Sequence, residues 1–143
     1  TDKYHGIDLD YRTEDEVLPF VREHGQAFLP YSPLFQGLLA GKFLNGIDFS
    51  SHDIRNENPK LAGEQFGEYL EIARKLKAFA DEMGQPMNEL ALNWPRQKPE
   101  VTSIIGGASS IAQLEKNIHC TTWDIGGEEM EAINEIIEPV RYR

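Results

Sequence analysis

Cysteine is almost missing from this sequence. Cys120 is the only one, so no disulfide can form within the chain, and a reducing compartment, the cytoplasm, is expected. No apolar run approaches the ~18–20 residues of a membrane helix, and no membrane partner is expected. Basic residues are few: 14 Lys+Arg stand against 24 Asp+Glu, a formal net charge of −10. That argues against a nucleic-acid surface, which must neutralise phosphates with cations, and against docking on an anionic bilayer. The four histidines, His5, His24, His52 and His119, lie far apart without ligand spacing, so no metal is expected. Neither a nucleophile elbow, nor Gly-x-Gly-x-x-Gly, nor a Gly-Lys-Ser/Thr phosphate loop occurs. The start, Thr1-Asp-Lys-Tyr-His5, has no apolar stretch of the signal-peptide kind. It also lacks Met, so either an initiator was removed or the chain is a piece of something longer.

What is present is ordinary for a globular protein. Hydrophobic residues make up 40% and charged residues 27% of 143, enough for one domain with a core. Residues 1–143 are read as a single unit, without repeats or linkers.

Thr13-Glu-Asp-Glu16 fits a capping box. Val17, Leu18, Phe20 and Val21 follow at helical spacing, and Gly25 suits a left-handed terminus, so a helix is expected over 14–24. Pro19 is tolerated in its first turn. Gln26–Tyr31 and Val101–Ile105 are short, apolar and sharply bounded, as strands buried on both faces would be. Residues 44–63 read as a long loop. Over 64–83, Phe66, Tyr69, Leu70, Ala73, Leu76, Ala80 and Met83 recur at steps of three and four, and Gly84 closes that helix. The next helix starts near Pro86 with Leu90, Ala91 and Trp94 on one face, and Pro95 should end or kink it. After the second strand, Ser110 and Gln113 form another capping box before a helix carrying Ile111, Leu114 and Ile118. Gly126-Gly127 precedes a last helix with Met130, Ile133, Ile136 and Ile137. Strands alternating with helices imply parallel strands and crossover connections, but two clear strands are too few to close a sheet.

Two stretches carry chemistry. Gly106-Gly-Ala-Ser-Ser110 joins a strand to a helix, where backbone amides with partial positive charge suit a phosphate. The alternative there is an ordinary strand–helix turn. Tyr31 ends the other strand and begins a segment too apolar for a solvated loop and too rich in glycine for a regular element. Tyr31 and Phe35 could face a flat ring or belong to the core, and Lys42 could meet a phosphate or be solvated. Glu14-Asp15-Glu16 and Glu128-Glu129 stand at helix starts, where the macrodipole favours them.

Taken in order, these stretches resemble the C-terminal part of an aldo-keto reductase. Tyr31-Ser-Pro-Leu-Phe-Gln-Gly-Leu-Leu-Ala-Gly-Lys-Phe43 is similar to that family's seventh strand and following loop, which Asp53-Ile-Arg-Asn56 continues. Ser103-Ile-Ile-Gly-Gly-Ala-Ser-Ser-Ile-Ala-Gln-Leu-Glu-Lys-Asn117 resembles the eighth strand and its cofactor loop. Val17–Gly25 resembles the sixth helix and Tyr4-His5 the end of the sixth strand. The resemblance implies an α/β fold, an incomplete, helix-rich (β/α)8 TIM barrel holding the end of strand 6, strands 7 and 8, and their helices. It also implies a nicotinamide dinucleotide, NADP above NAD, that serves reduction of aldehydes or ketones to alcohols.

By resemblance, Tyr31 would stack on the nicotinamide ring. Ser32, Leu34 and Lys42 would follow the pyrophosphate, with the backbone from Pro33 through Gly37, and Arg55 is expected to reach the cofactor. Gly107, Ser109, Gln113 and Asn117 would hold the adenosine and its 2′-phosphate. Relatives often place Lys or Arg just after the glycines, where this chain has Ser109, Ser110 and Ile111. Lys116 is the nearby cation, and NAD stays open. The family's catalytic Asp, Tyr, Lys and His precede every matched segment. No catalytic residue is therefore assigned, and the chain alone is expected to be inactive and a weak cofactor binder. The small carbonyl substrate would belong to the full-length parent. The alternatives are a binding or interaction module and a relic without function. Half a barrel leaves a sheet edge exposed, so self-association is expected.

Overall fold

The computed structural model describes residues 12–46, 49–62 and 65–141. The expected end of strand 6 at Tyr4-His5 lies outside them. Among the described residues six α-helices carry the fold: α1 (Leu18–His24), α2 (Pro59–Ala62), α3 (Phe66–Glu82), α4 (Met87–Arg96), α5 (Ile111–His119) and α6 (Gly127–Ile137).

The core sits where α3, α4 and α6 meet. α3 buries Tyr69, Ile72, Ala73, Leu76 and Ala80, a stripe at steps of three and four. Met87 and Leu90 of α4, Ile133 of α6, and Leu38, Leu61 and Ile125 close it. Ile136 and Ile137 pack on the same cluster, as the spacing of the last helix predicts. α3 ends at Met83 and Gly84, the latter at φ +68.

Several expectations need correction. The capping box at Thr13 does not form. Thr13–Val17 is a π-helical turn without a side-chain cap, and α1 begins only at Leu18. Glu14 turns elsewhere, accepting hydrogen bonds from Lys98 Nζ at 2.6 Å and Arg141 Nη2 at 2.9 Å. Burial pushes its carboxyl up, but the hydrogen bonds and charges of these two cations outweigh that and hold it below its ordinary value. Gly25 does end α1, at φ +59. The loop at 44–63 also contains structure: a 3-10 turn, Ile54–Glu57, and the short helix α2. On α4 the buried residues are Met87, Glu89, Leu90, Leu92 and Asn93; Leu90 and Trp94 pack on the core as expected, while Ala91 is only partly buried. Pro95 lies one residue before its end.

The two strands are the largest difference. Among the described residues no extended ladder forms, and in place of the expected sheet of an incomplete α/β barrel there are two parallel bridges, Phe28 with Val101 and Tyr31 with Ile105. The amide of Thr102 donates to Phe28 O and that of Ile105 to Pro30 O, each at 2.9 Å. The pairing is parallel, as crossover topology requires. Burial on both faces is not achieved, since Leu29 is 48%, Tyr31 72% and Ile105 55% exposed. A strand becomes a buried one only when neighbours cover it. α5 shows the same effect: its spacing is helical as predicted, yet Ile111, Leu114 and Ile118 face solvent and no residue of α5 is buried.

Candidate functional site

The bridges set the ends of two segments side by side. After Tyr31 the chain turns tightly. Ser32, Phe35 and Gln36 all have positive φ, at 56, 47 and 51, and they are the non-glycine residues that do so among the described ones. Each such residue costs about 1 kcal/mol or more, and clustered strain of this kind is common where a loop is shaped for binding. Gly37 continues the turn at φ +105, where a Cβ would stand 3.0 Å from the Phe43 ring. Phe35–Ala40 then forms 3-10 turns that bury Leu38.

The second segment enters α5. Ser110 caps it: its Oγ accepts from the Gln113 amide at 3.2 Å. The capping box is shifted by one residue, because Gln113 Oε1 takes the Ser109 amide at 2.8 Å and the Ser109 hydroxyl at 2.9 Å. Asn117, a turn later, donates to Gly107 O at 3.3 Å. The loop is thus folded onto the first turns of its own helix by its own side chains.

Between the two segments lies a cleft of about 550 Å³, within the range of small-molecule sites. Ser32, Pro33, Leu34, Gly37 and Lys42 line one side. Gly107, Ser109, Gln113, Lys116 and Asn117 line the other. Residues some seventy positions apart in sequence are brought together in one lining. Asn88, at the start of α4, lines the floor. Sequence inspection missed it, since a lone asparagine near a helix start reads as an ordinary cap. Lys42 and Lys116 are the cations of the lining.

Two predicted residues lie elsewhere. Tyr31 opens onto a neighbouring apolar cavity of about 600 Å³, which shares Ser32 and Gln36 with the cleft. Phe28, Leu18, Trp94 and Val101 form its walls. Arg55 is not in the cleft lining. Its Nε and Nη2 bind Asp53 at 2.8 and 2.5 Å, and its guanidinium covers the rings of Phe43 and Phe49 at 4.8 and 4.3 Å. Its Nη1 reaches Gln36 O at 3.5 Å, so Arg55 braces the strained turn from behind. The hydrogen bonds from Arg55 hold the Asp53 carboxyl down at about 2. Asn58, 7% exposed, adds a second brace by donating to Gln36 Oε1 at 3.1 Å.

The lining suits an extended anion with polar ends: two lysines, hydroxyls, side-chain amides and a helix N-terminus face one open cleft. Among the described residues no group of His, Cys, Asp or Glu could hold a metal ion, and no helix is long and apolar enough to cross a membrane.

A strained turn thus faces a serine-capped helix across a polar cleft. The aldo/keto reductase family pattern matches residues 4–138, and the chain belongs to that family. It is 36% identical over 108 residues to L-glyceraldehyde 3-phosphate reductase of Escherichia coli O157:H7, covering 71% of this chain and 30% of that protein. It is 35% identical over 110 residues to a probable voltage-gated potassium channel subunit beta of Arabidopsis thaliana, covering 76% and 34%. Glycerol dehydrogenase AKR11B4 from Gluconobacter oxydans superposes with a TM-score of 0.80 at 26% identity, over 92% of this chain and 40% of that one. The chain therefore spans about a third of the length of the curated relatives it matches.

Proposed function

We propose that this chain forms the cofactor-binding portion of an NADP-linked aldo-keto reductase that reduces aldehydes or ketones to alcohols in the cytoplasm. The observation that carries this is the cleft itself, where Lys42 and Lys116 share one lining with Ser109, Gln113 and Asn117. Ser32, Leu34 and Lys42 run along the pyrophosphate, with backbone from Pro33 to Gly37. Gly107, Ser109, Gln113 and Asn117 take the adenosine and its 2′-phosphate, with Lys116 as counter-charge. Tyr31, 72% exposed, offers a free aromatic face to the nicotinamide. Arg55 serves by holding the turn. The bound nicotinamide supplies hydride. The residues of this chain bind and orient it, and none is assigned as proton donor, so the 143-residue chain alone does not reduce carbonyls at enzymatic rates.

The test is a titration of the purified chain with NADPH, followed by nucleotide fluorescence, with 2′,5′-ADP and 5′-ADP as competitors. Saturable binding displaced better by 2′,5′-ADP supports the NADP reading. Equal displacement favours NAD. Absence of binding up to millimolar nucleotide overturns the cofactor role.

A second reading has its own observation. Ile105, Ile111, Leu114 and Ile118 are all at least 49% exposed, on the outer bridge residue and on α5. Such an exposed apolar surface invites association. We propose that a second copy of the chain covers it. The two readings are compatible.

A further inference from the structure

α5 carries half of the cleft, yet no residue of α5 is buried and its apolar residues point outward. Within α5 itself hydrophobic burial therefore does not fix where the helix lies. Its place is held by Cys120, buried just beyond its end, and by polar ties, one of which is unusual. Glu89 is a charged residue on the inward face of α4, only 4% exposed. A buried carboxylate is costly unless it is fully engaged. Its Oε2 accepts from Trp123 Nε1 at 3.0 Å and lies 2.8 Å from His119 Nδ1, the last residue of α5. Trp123 is held in turn by α4, whose Asn93 Nδ2 donates to Trp123 O at 2.9 Å. Asn88, the residue before Glu89, lines the cleft.

We infer that Glu89 is a positioning residue for the cleft: by binding His119 and Trp123 it fixes α5 against α4, and so sets the distance at which Gln113 and Asn117 face Asn88. Glu89 itself lies outside the lining and touches no ligand. The inference rests on the dinucleotide reading of the cleft. It places control of the adenosine half of the site in a carboxylate of α4 outside the lining, while the Ser32–Lys42 half is braced separately by Arg55 and Asn58. The two halves should then respond differently to loss of the tie.

The experiment compares the wild-type chain with Glu89→Leu, Glu89→Gln and His119→Ala. Affinity is measured for 2′,5′-ADP, which probes the adenosine half, and for nicotinamide mononucleotide, which probes the other. Amide hydrogen exchange along α5 and thermal melts are recorded in parallel. Leucine fills the buried slot without the bonds, glutamine restores a donor and an acceptor, and His119, with its side chain 60% exposed, can be truncated with little risk to folding. The expected result is a roughly tenfold weaker 2′,5′-ADP affinity in Glu89→Leu and His119→Ala. Nicotinamide mononucleotide should change less than twofold, α5 exchange should be faster, and Glu89→Gln should recover most of the loss. Equal weakening of both probes, or none, overturns the inference and leaves the dinucleotide reading standing. If the wild type binds neither probe, that reading fails. Hydrogen exchange then decides, and unchanged α5 protection in Glu89→Leu overturns the positioning role as well.

Discussion

The amide of Ile105 donates to the carbonyl of Pro30 at 2.9 Å, so Tyr31 and Ile105 end their segments in parallel and in register. The two segments that line most of the cleft start from that pairing. The strained turn starts one residue after Tyr31, and the glycine loop starts one residue after Ile105.

The turn is the least forgiving part of this arrangement. Gly37→Ala must accept φ +105 and a Cβ 3.0 Å from Phe43 Cε2, and should lose about 2 kcal/mol of stability. Gly25→Ala has φ +59 but open space around it, and should lose about 1 kcal/mol. Urea unfolding of the two variants checks the order. A Gly37→Ala chain as stable as wild type would mean the turn relaxes freely.

Lys42 and Lys116 should act on binding with little effect on folding, since both are exposed. Replacing either with Ala should weaken NADPH about tenfold, the size of one charge-assisted contact. The melting temperature should shift by less than a few degrees. Only Lys116→Ala should also narrow the preference for 2′,5′-ADP over 5′-ADP. Competition titrations decide it.

Acid should release the brace behind the turn. Asp53 is held at about 2 against an ordinary 3.8. A depressed carboxyl stabilises the folded form fully above the ordinary value, and that contribution disappears as the pH falls from 3.8 towards 2. Glu14 is depressed too, so its contribution has the same sign and fades below 4.5. The stability difference between wild type and Asp53→Asn should be present at about pH 6 and vanish near the folded value. Paired melts across that window measure it, and a difference independent of pH would refute the assignment.

Association should depend on the outer face of α5. Leu114→Glu, at a residue 49% exposed, places a charge on that face without disturbing the core. Sedimentation equilibrium should show the wild type associating and the variant shifted to monomer. A monomeric wild type removes the proposal.

The helices of the core were readable because their periodicity is local. The stripe from Tyr69 to Ala80 and the run from Met130 to Ile137 need no distant partner to be recognised. Ser110 was readable as a cap for the same reason. The strand segments were recognisable, but their burial was not, because burial belongs to neighbours rather than to Gln26–Tyr31 or Val101–Ile105. Glu14 shows the converse. Its pattern is that of a helix start, but Lys98 and Arg141 lie far along the chain and draw it away.

The sequence by itself determined the family, the helical core, and the two motifs whose residues share the cleft, since each is written in local composition and spacing. Tertiary structure alone decided that Asn88 joins them, that Arg55 turns to Asp53, and that Glu89 meets His119 and Trp123. Those outcomes depend on which side chains meet across long stretches of chain. A hydrogen bond or ion pair between such residues leaves no periodic trace to read.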